Sequence, residues 1–101
     1  MFFSRMPSIS TKELEQKLSE KIELIDVRET NEFANGHIPR AKNIPLGKID
    51  KYKPNGTVYV ICQSGMRSKR AAKILKAKDC DVVNVKGGMS AWSGKTRGGK
   101  L

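Results

Sequence analysis

The chain is short of the residues that build many familiar sites. Its 101 residues include one histidine, two cysteines, four prolines, one tryptophan, two tyrosines and three phenylalanines. One His and two Cys leave a three- or four-ligand zinc site short of donors. Two cysteines do not make a disulfide framework. Few aromatics and no RNA-binding signature argue against nucleic-acid sequence readout. No apolar run is long enough to span a bilayer, and Met1-Phe2-Phe3-Ser4-Arg5-Met6 is too short for a signal-peptide core. The expectation is a soluble, cytoplasmic protein with no membrane partner. Negative charge is scarce as well: 10 acidic residues against 20 basic ones give a formal charge of +10. That excess favours anionic partners and says nothing about the fold. Repulsion between like-charged copies favours a monomer. With 38% apolar residues, there is core enough for one domain.

What is present alternates between helix and strand signals. Ser10-Thr11-Lys12-Glu13 has the spacing of a capping box, and Leu14 and Leu18 follow at i, i+4, which predicts an amphipathic helix over about 11–20. Leu24-Ile25-Asp26-Val27 reads as a strand. Glu29 to Asn35 has room for one or two helical turns before Gly36, and His37-Ile38-Pro39 must extend or turn. Asn43-Ile44-Pro45-Leu46 is a short strand or loop, and Lys53-Pro54-Asn55-Gly56 is a turn. Thr57-Val58-Tyr59-Val60-Ile61 is β-branched and aromatic with no polar alternation, as expected of a strand buried on both faces. After Cys62 to Arg67, a helical stripe over 68–78 carries Ala71, Ala72, Ile74 and Leu75 on one side and Lys69, Arg70, Lys73 and Lys76 on the other. Asp81 to Val85 is another strand, Gly87-Gly88 a turn, and Met89 to Trp92 a last short helix. The alternation predicts an α/β domain with a mostly parallel sheet. The whole chain, 1–101, reads as that one domain, ending in a flexible basic tail over 94–101.

Sites in such sheets lie beyond the carboxyl ends of the strands. Asp26 to Glu29 and Cys62 to Ser68 fall there. A chain turning from strand into helix aims several N–H groups at one spot, and the helix N-terminus adds positive potential. A thiolate at Cys62 is stabilised by such a cradle, which can also hold a sulfane sulfur or an oxyanion. Gly65 permits the turn, and Ser64 and Ser68 can donate hydroxyl hydrogens. Residues 66–86 contain seven basic and two acidic residues. They read either as the surround of an anion site or as a solvated lysine face.

The motifs Leu24-Ile25-Asp26-Val27-Arg28-Glu29, Glu32-Phe33, Gly36-His37-Ile38-Pro39, Ala41, Asn43-Ile44-Pro45-Leu46, Cys62-Gln63-Ser64-Gly65-Met66-Arg67-Ser68, and Gly87-Gly88 with Trp92 together resemble the rhodanese-like family over about residues 8–93. The chain is similar to a single-domain, stand-alone member. The resemblance implies a five-stranded, mostly parallel sheet flanked by helices on both faces. It also implies thiosulfate sulfurtransferase activity, with Cys62 becoming a persulfide cradled by Gln63, Ser64, Gly65, Met66, Arg67 and Ser68. The implied partners are a small anionic donor (thiosulfate or a persulfide) and a thiol, cyanide or protein acceptor; neither metal nor organic cofactor is needed. Related phosphatases and arsenate reductases carry Arg six positions after Cys. Here Arg67 is five after Cys62 and Ser68 stands sixth, so the shorter loop favours sulfur chemistry. A binding module docking its basic surface on RNA or an acidic partner is the other reading. The family often has glycine where Arg40 and Cys80 stand.

Each residue also has a plainer reading. Cys62 as an ordinary core cysteine is set against its place between strand and helix, which favours a nucleophile. Arg67 is expected as an anion clamp rather than a surface cation. Ser64 and Ser68 serve equally as loop and cap residues. Asp26, inside an apolar strand, needs partners; Arg28 is a candidate, and the pair is expected to support the loop from behind. His37 falls in the family's structural Gly-His-Ile turn. Trp92 is expected over the core, and Cys80 as a passive thiol at the opposite end of the sheet from Cys62.

Overall fold

Val58-Tyr59-Val60-Ile61 has no polar alternation because this strand is the middle one of five. Strands Ser8–Ile9 (β1), Glu23–Asp26 (β2), Lys42–Asn43 (β3), Val58–Ile61 (β4) and Val82–Val85 (β5) pair in parallel, in spatial order β1-β5-β4-β2-β3. Helices Thr11–Lys17 (α1), Thr30–Ala34 (α2), Met66–Ala77 (α3) and Gly88–Ala91 (α4), with a 3-10 helix at Leu46–Lys51, make the connections. The structure is a computed structural model and describes residues 6–99.

Successive strand side chains point to opposite faces, and each face meets its own helical layer. Val58, Val60 and Cys62 join Ile25, Val27 and Val82 on one side, under Ala71, Ala72 and Leu75 of α3 and Ile49 of the 3-10 helix. Leu24, Ile61 and Val85 face the other way, against Leu14 of α1 and Phe33 of α2, with Tyr59, Met89 and Trp92 packed alongside. Small alanines on α3 let it lie close to the sheet. Each fully buried Leu, Ile or Val contributes on the order of 1.5–3 kcal/mol. The expected helices on both faces of a five-stranded parallel sheet are present, and Trp92 packs against the core as expected.

The boundaries differ in instructive places. The capping box forms: the Ser10 hydroxyl accepts from Glu13 N–H at 3.1 Å and Ser10 N–H donates to Glu13 at 2.9 Å. The helix ends at Lys17 rather than near residue 20, because Leu18 and Ile22 must both reach the core beside β2. Strand β1 has no periodicity to read. It exists because β5 recruits it, Asn84 N–H donating to Pro7 and Lys86 N–H to Ile9. The short strand or loop expected over Asn43–Leu46 is divided: Lys42–Asn43 forms the strand, and Leu46 opens the 3-10 helix. Helix α3 begins at Met66, two residues before the expected Ser68.

The basic stretch from 94, expected to be a flexible tail, is held where it is described. Arg97 and His37 exchange backbone hydrogen bonds at 2.9 and 2.8 Å, and Gly99 N–H donates to Ala34 at 2.7 Å. These contacts satisfy backbone groups at the end of α2 and in the segment that follows it. Lys100, Leu101 and the first five residues of the leader reading lie outside the described residues. Arg40 has a left-handed φ of 74°, the conformation that favours glycine, and Asp79, one before Cys80, has one of 64°. Among the described residues, no helix is long and apolar enough to cross a membrane.

Candidate active site

The chain leaves β2 toward β3 on one side of the sheet and leaves β4 toward β5 on the other. The crevice between the carboxyl ends of β2 and β4 is therefore the topological switch point of the sheet, where ligands of open α/β folds bind. Cys62 sits there, directly after β4, and Val27 N–H donates to Ile61 at 2.9 Å to close the floor. Only Gln63, Ser64 and Gly65 separate Cys62 from α3. Gly65 makes that short turn possible with φ of 108°, a left-handed conformation that favours glycine. Its N–H donates to the Cys62 Sγ at 3.0 Å.

Because α3 starts at Met66, the N–H groups of Met66, Arg67 and Ser68 belong to its first turn, where they have no intrahelical acceptor. Burial alone pushes the Cys62 thiol up, but hydrogen bonds from the Ser68 side chain and from the backbone of Ser68, Gly65 and Ser64 outweigh it, and the thiol lies below its ordinary range. Ser68, itself fully buried, lies 3.4 Å from Sγ and donates to the Gly65 carbonyl at 3.1 Å. A protonated thiol can donate to that hydroxyl. On ionisation the hydroxyl can rotate and donate to sulfur instead. Cys62 is only 1% exposed, so its sulfur has apolar core on one side and amides on the other.

Behind this loop stands a buried ion pair. Asp26 is fully buried and Arg28 nearly so. Arg28 Nε and Nη2 donate to both Asp26 oxygens, the shortest at 2.7 Å. The same guanidinium donates to Gly36 O at 2.8 Å and to Gln63 Oε1 at 3.2 Å. Gln63 Nε2 in turn donates to Ser90 Oγ at 3.1 Å. Backbone bonds repeat the tie, Met89 N–H to Cys62 O and Ser90 N–H to Gln63 O. The structure thus brings Asp26, Arg28 and the first half of the cysteine loop together. Gln63 contributes its side chain to this support rather than to the mouth.

Arg67 does not stand free to clamp an anion. It makes a two-pronged ion pair with Glu32 of α2, at 2.6 and 2.9 Å. The Arg67 hydrogen bonds hold the Glu32 carboxyl down at about 2, against the opposing effect of burial. Glu32 is the residue that sequence reasoning missed. Its signal was Glu29-x-x-Glu32, a capping arrangement that places a carboxylate at the start of α2. Gly88 and Ser90 were also missed as loop contacts, because only the fold brings α4 against Gln63. Met66 is exposed at the mouth. His37 is fully buried, stacked on Phe33, with Nδ1 2.7 Å from Phe33 O. Cys80 lies just before β5, at the amino end of the sheet and so opposite Cys62; both are free thiols.

Comparison with known proteins gives the same outline. The family profile of the rhodanese-like domain matches residues 10–95. YrkF of Bacillus subtilis (strain 168) is 40% identical over 100 residues, covering 92% of this chain and 54% of YrkF. The chain thus spans about half the length of that relative. Thiosulfate sulfurtransferase GlpE of Shewanella oneidensis is 33% identical over 98 residues, covering 88% of this chain and 94% of GlpE. Among solved structures, a rhodanese-like domain protein from Staphylococcus aureus superposes with a TM-score of 0.80 at 41% identity, over 87% of this chain and 92% of that one. With a profile match across most of its length and a fold shared with that solved structure, the chain belongs to the rhodanese-like family.

Proposed function

We propose that the protein is a thiosulfate sulfurtransferase working through a persulfide on Cys62. Family membership already implies rhodanese-type sulfur transfer in general. The observation that carries the finer reading is the Gly65 N–H at 3.0 Å from a thiol that hydrogen bonds hold below its ordinary range. The Cys62 thiolate attacks the outer sulfur of thiosulfate. The new S–S bond forms as the old one breaks, and sulfite leaves with the electron pair. The loop amides and Ser68 then stabilise the terminal sulfur anion of the persulfide. A thiophilic acceptor, such as a thiol or cyanide, attacks that sulfur and returns the thiolate, a ping-pong cycle. Neither half-reaction calls for a metal or an organic cofactor. A thiol as enclosed as Cys62 favours a donor presenting one projecting sulfur atom. The similarity to GlpE supports thiosulfate as that donor. Both cysteines as free thiols suit a reducing compartment, and we place the protein in the cytoplasm as a monomer. Arg67, engaged by Glu32, offers no free fork for phosphoryl oxygens, which speaks against the phosphatase reading.

Intact-mass analysis after thiosulfate treatment tests this. The wild type should gain one sulfur at Cys62, lose it to cyanide as thiocyanate, and show neither step as Cys62→Ser. A wild-type protein that stays at its starting mass, or one that loads equally well without Cys62, overturns the reading.

A further inference from the structure

Resting on that reading, we propose that the sulfur acceptor is an acidic protein segment that docks on the outer face of α3, over Met66 and the cations Lys69, Arg70 and Lys73. These four residues fall at i, i+3, i+4 and i+7, so they share one face of the helix. All four are exposed. Met66 is 76% exposed and is the only large apolar side chain so displayed among the described residues. It follows directly after Gly65, whose N–H touches the Cys62 sulfur. The apolar contact point is therefore at the rim of the loop that would hold the persulfide, and the cations lead away from it along the helix.

The stripe is not explained by folding. Lys69, Arg70 and Lys73 make no ion pair among the described residues; the pairs found there are Asp26–Arg28, Glu32–Arg67 and Asp50–Lys78. The earliest of these cations also lie close to the helix N-terminus, where positive charge opposes the macrodipole. An exposed apolar residue with unpaired like charges beside it fits a surface completed by an apolar residue among carboxylates. A ribonucleic acid strand fits less well. Such strands stack on exposed aromatic rings, and among the described residues Phe33 is buried while Tyr52, Tyr59 and Trp92 are each partly covered by the core. The enclosed position of Cys62 adds a reason for docking: held at the rim, a cysteine thiolate of the partner attacks the terminal persulfide sulfur. The partner's S–S bond forms, the bond to Cys62 breaks, and the Cys62 thiolate departs.

Single-turnover transfer from the preloaded protein at physiological ionic strength tests the surface. The acceptors are a synthetic cysteine peptide with flanking Asp, Glu and Leu, its Lys-substituted counterpart, and dithiothreitol. The acidic peptide should react about tenfold or more faster than the basic one, an advantage that shrinks as salt rises. Arg70→Glu/Lys73→Glu should remove that advantage while leaving transfer to dithiothreitol unchanged. If that variant folds poorly by circular dichroism, Arg70→Gln/Lys73→Gln should still reduce it severalfold. Equal rates for the two peptides, or an acidic preference untouched by both variants, overturns the proposal. So does poly-uridine RNA that blocks transfer more strongly than a cysteine-free acidic peptide. Failure to load from thiosulfate, by contrast, would count against the persulfide reading itself, and is read by mass before any acceptor is added.

Discussion

At the scale of single residues, the site turns on what surrounds one sulfur. Ser68 is the largest of the influences that lower the Cys62 thiol, ahead of the backbone of Ser68, Gly65 and Ser64. In Ser68→Ala the pH midpoint of Cys62 alkylation should therefore move upward, and thiosulfate loading at neutral pH should slow severalfold. An unmoved midpoint would leave the amides alone to account for the thiolate. Glu32 acts on the same loop through Arg67. Its folded carboxyl titrates at about 2 against an ordinary 4.5, so the pair stabilises the fold above about 4.5 and loses that contribution as pH falls toward 2. Both partners are about a third exposed, which limits the contribution to about 1 kcal/mol. Urea denaturation of Glu32→Gln should show a deficit of that size at neutral pH, vanishing in strong acid. The same substitution frees the Arg67 guanidinium beside the mouth, and kcat/KM for thiosulfate should rise severalfold. A fall would mean that Arg67 must be held to be useful.

Among elements, the cysteine loop is shaped by its neighbours as much as by its own residues. Gly88 lies at φ of 59°, and a Cβ there would stand 2.4 Å from Cys62 O and 2.6 Å from Gln63 O. That approach lets Met89 and Ser90 donate to the two carbonyls. Gly88→Ala should cost about 2–4 kcal/mol in denaturant unfolding, from backbone strain and overpacking together. It should also depress persulfide loading in the fraction that remains folded, because the clash falls on the loop itself. A sequence reader can see Gly87-Gly88 as a turn, since glycine pairs mark turns. That the turn braces Cys62 is not visible, because it depends on α4 packing against a segment some 25 residues earlier. The start of α3 is hidden from the sequence for a related reason. Met66 and Arg67 carry no apolar period, yet Gly65 in the left-handed region lets the helix begin immediately after it.

Over the whole molecule, the formal charge of +10 bears on the proposed reaction, whose donor is an anion. Loading by doubly charged thiosulfate should therefore weaken severalfold between about 0.05 and 0.5 M salt, as screening shortens the reach of the protein's field. Stopped-flow loading rates across that range check it; a flat profile would confine the electrostatics to the loop amides. The layers follow from pattern. Uninterrupted apolar residues in β4 and a stripe of Ala71, Ala72 and Leu75 on α3 already call for a strand buried on both faces and a helix packed against a sheet. Periodicity, turn chemistry and the spacing of Cys62, Gly65 and Ser68 are local properties, which is why α/β class, a central buried strand and a thiol at its end could be read from the chain alone. Pairings between distant segments are another matter. The recruitment of Ser8–Ile9 by β5, the capture of Arg67 by Glu32, the bracing of Cys62 by Gly88 and the return of Arg97 to His37 have no local signature. Each arises only when packing sets two surfaces side by side and their polar groups must find partners, so each was decided by the tertiary structure.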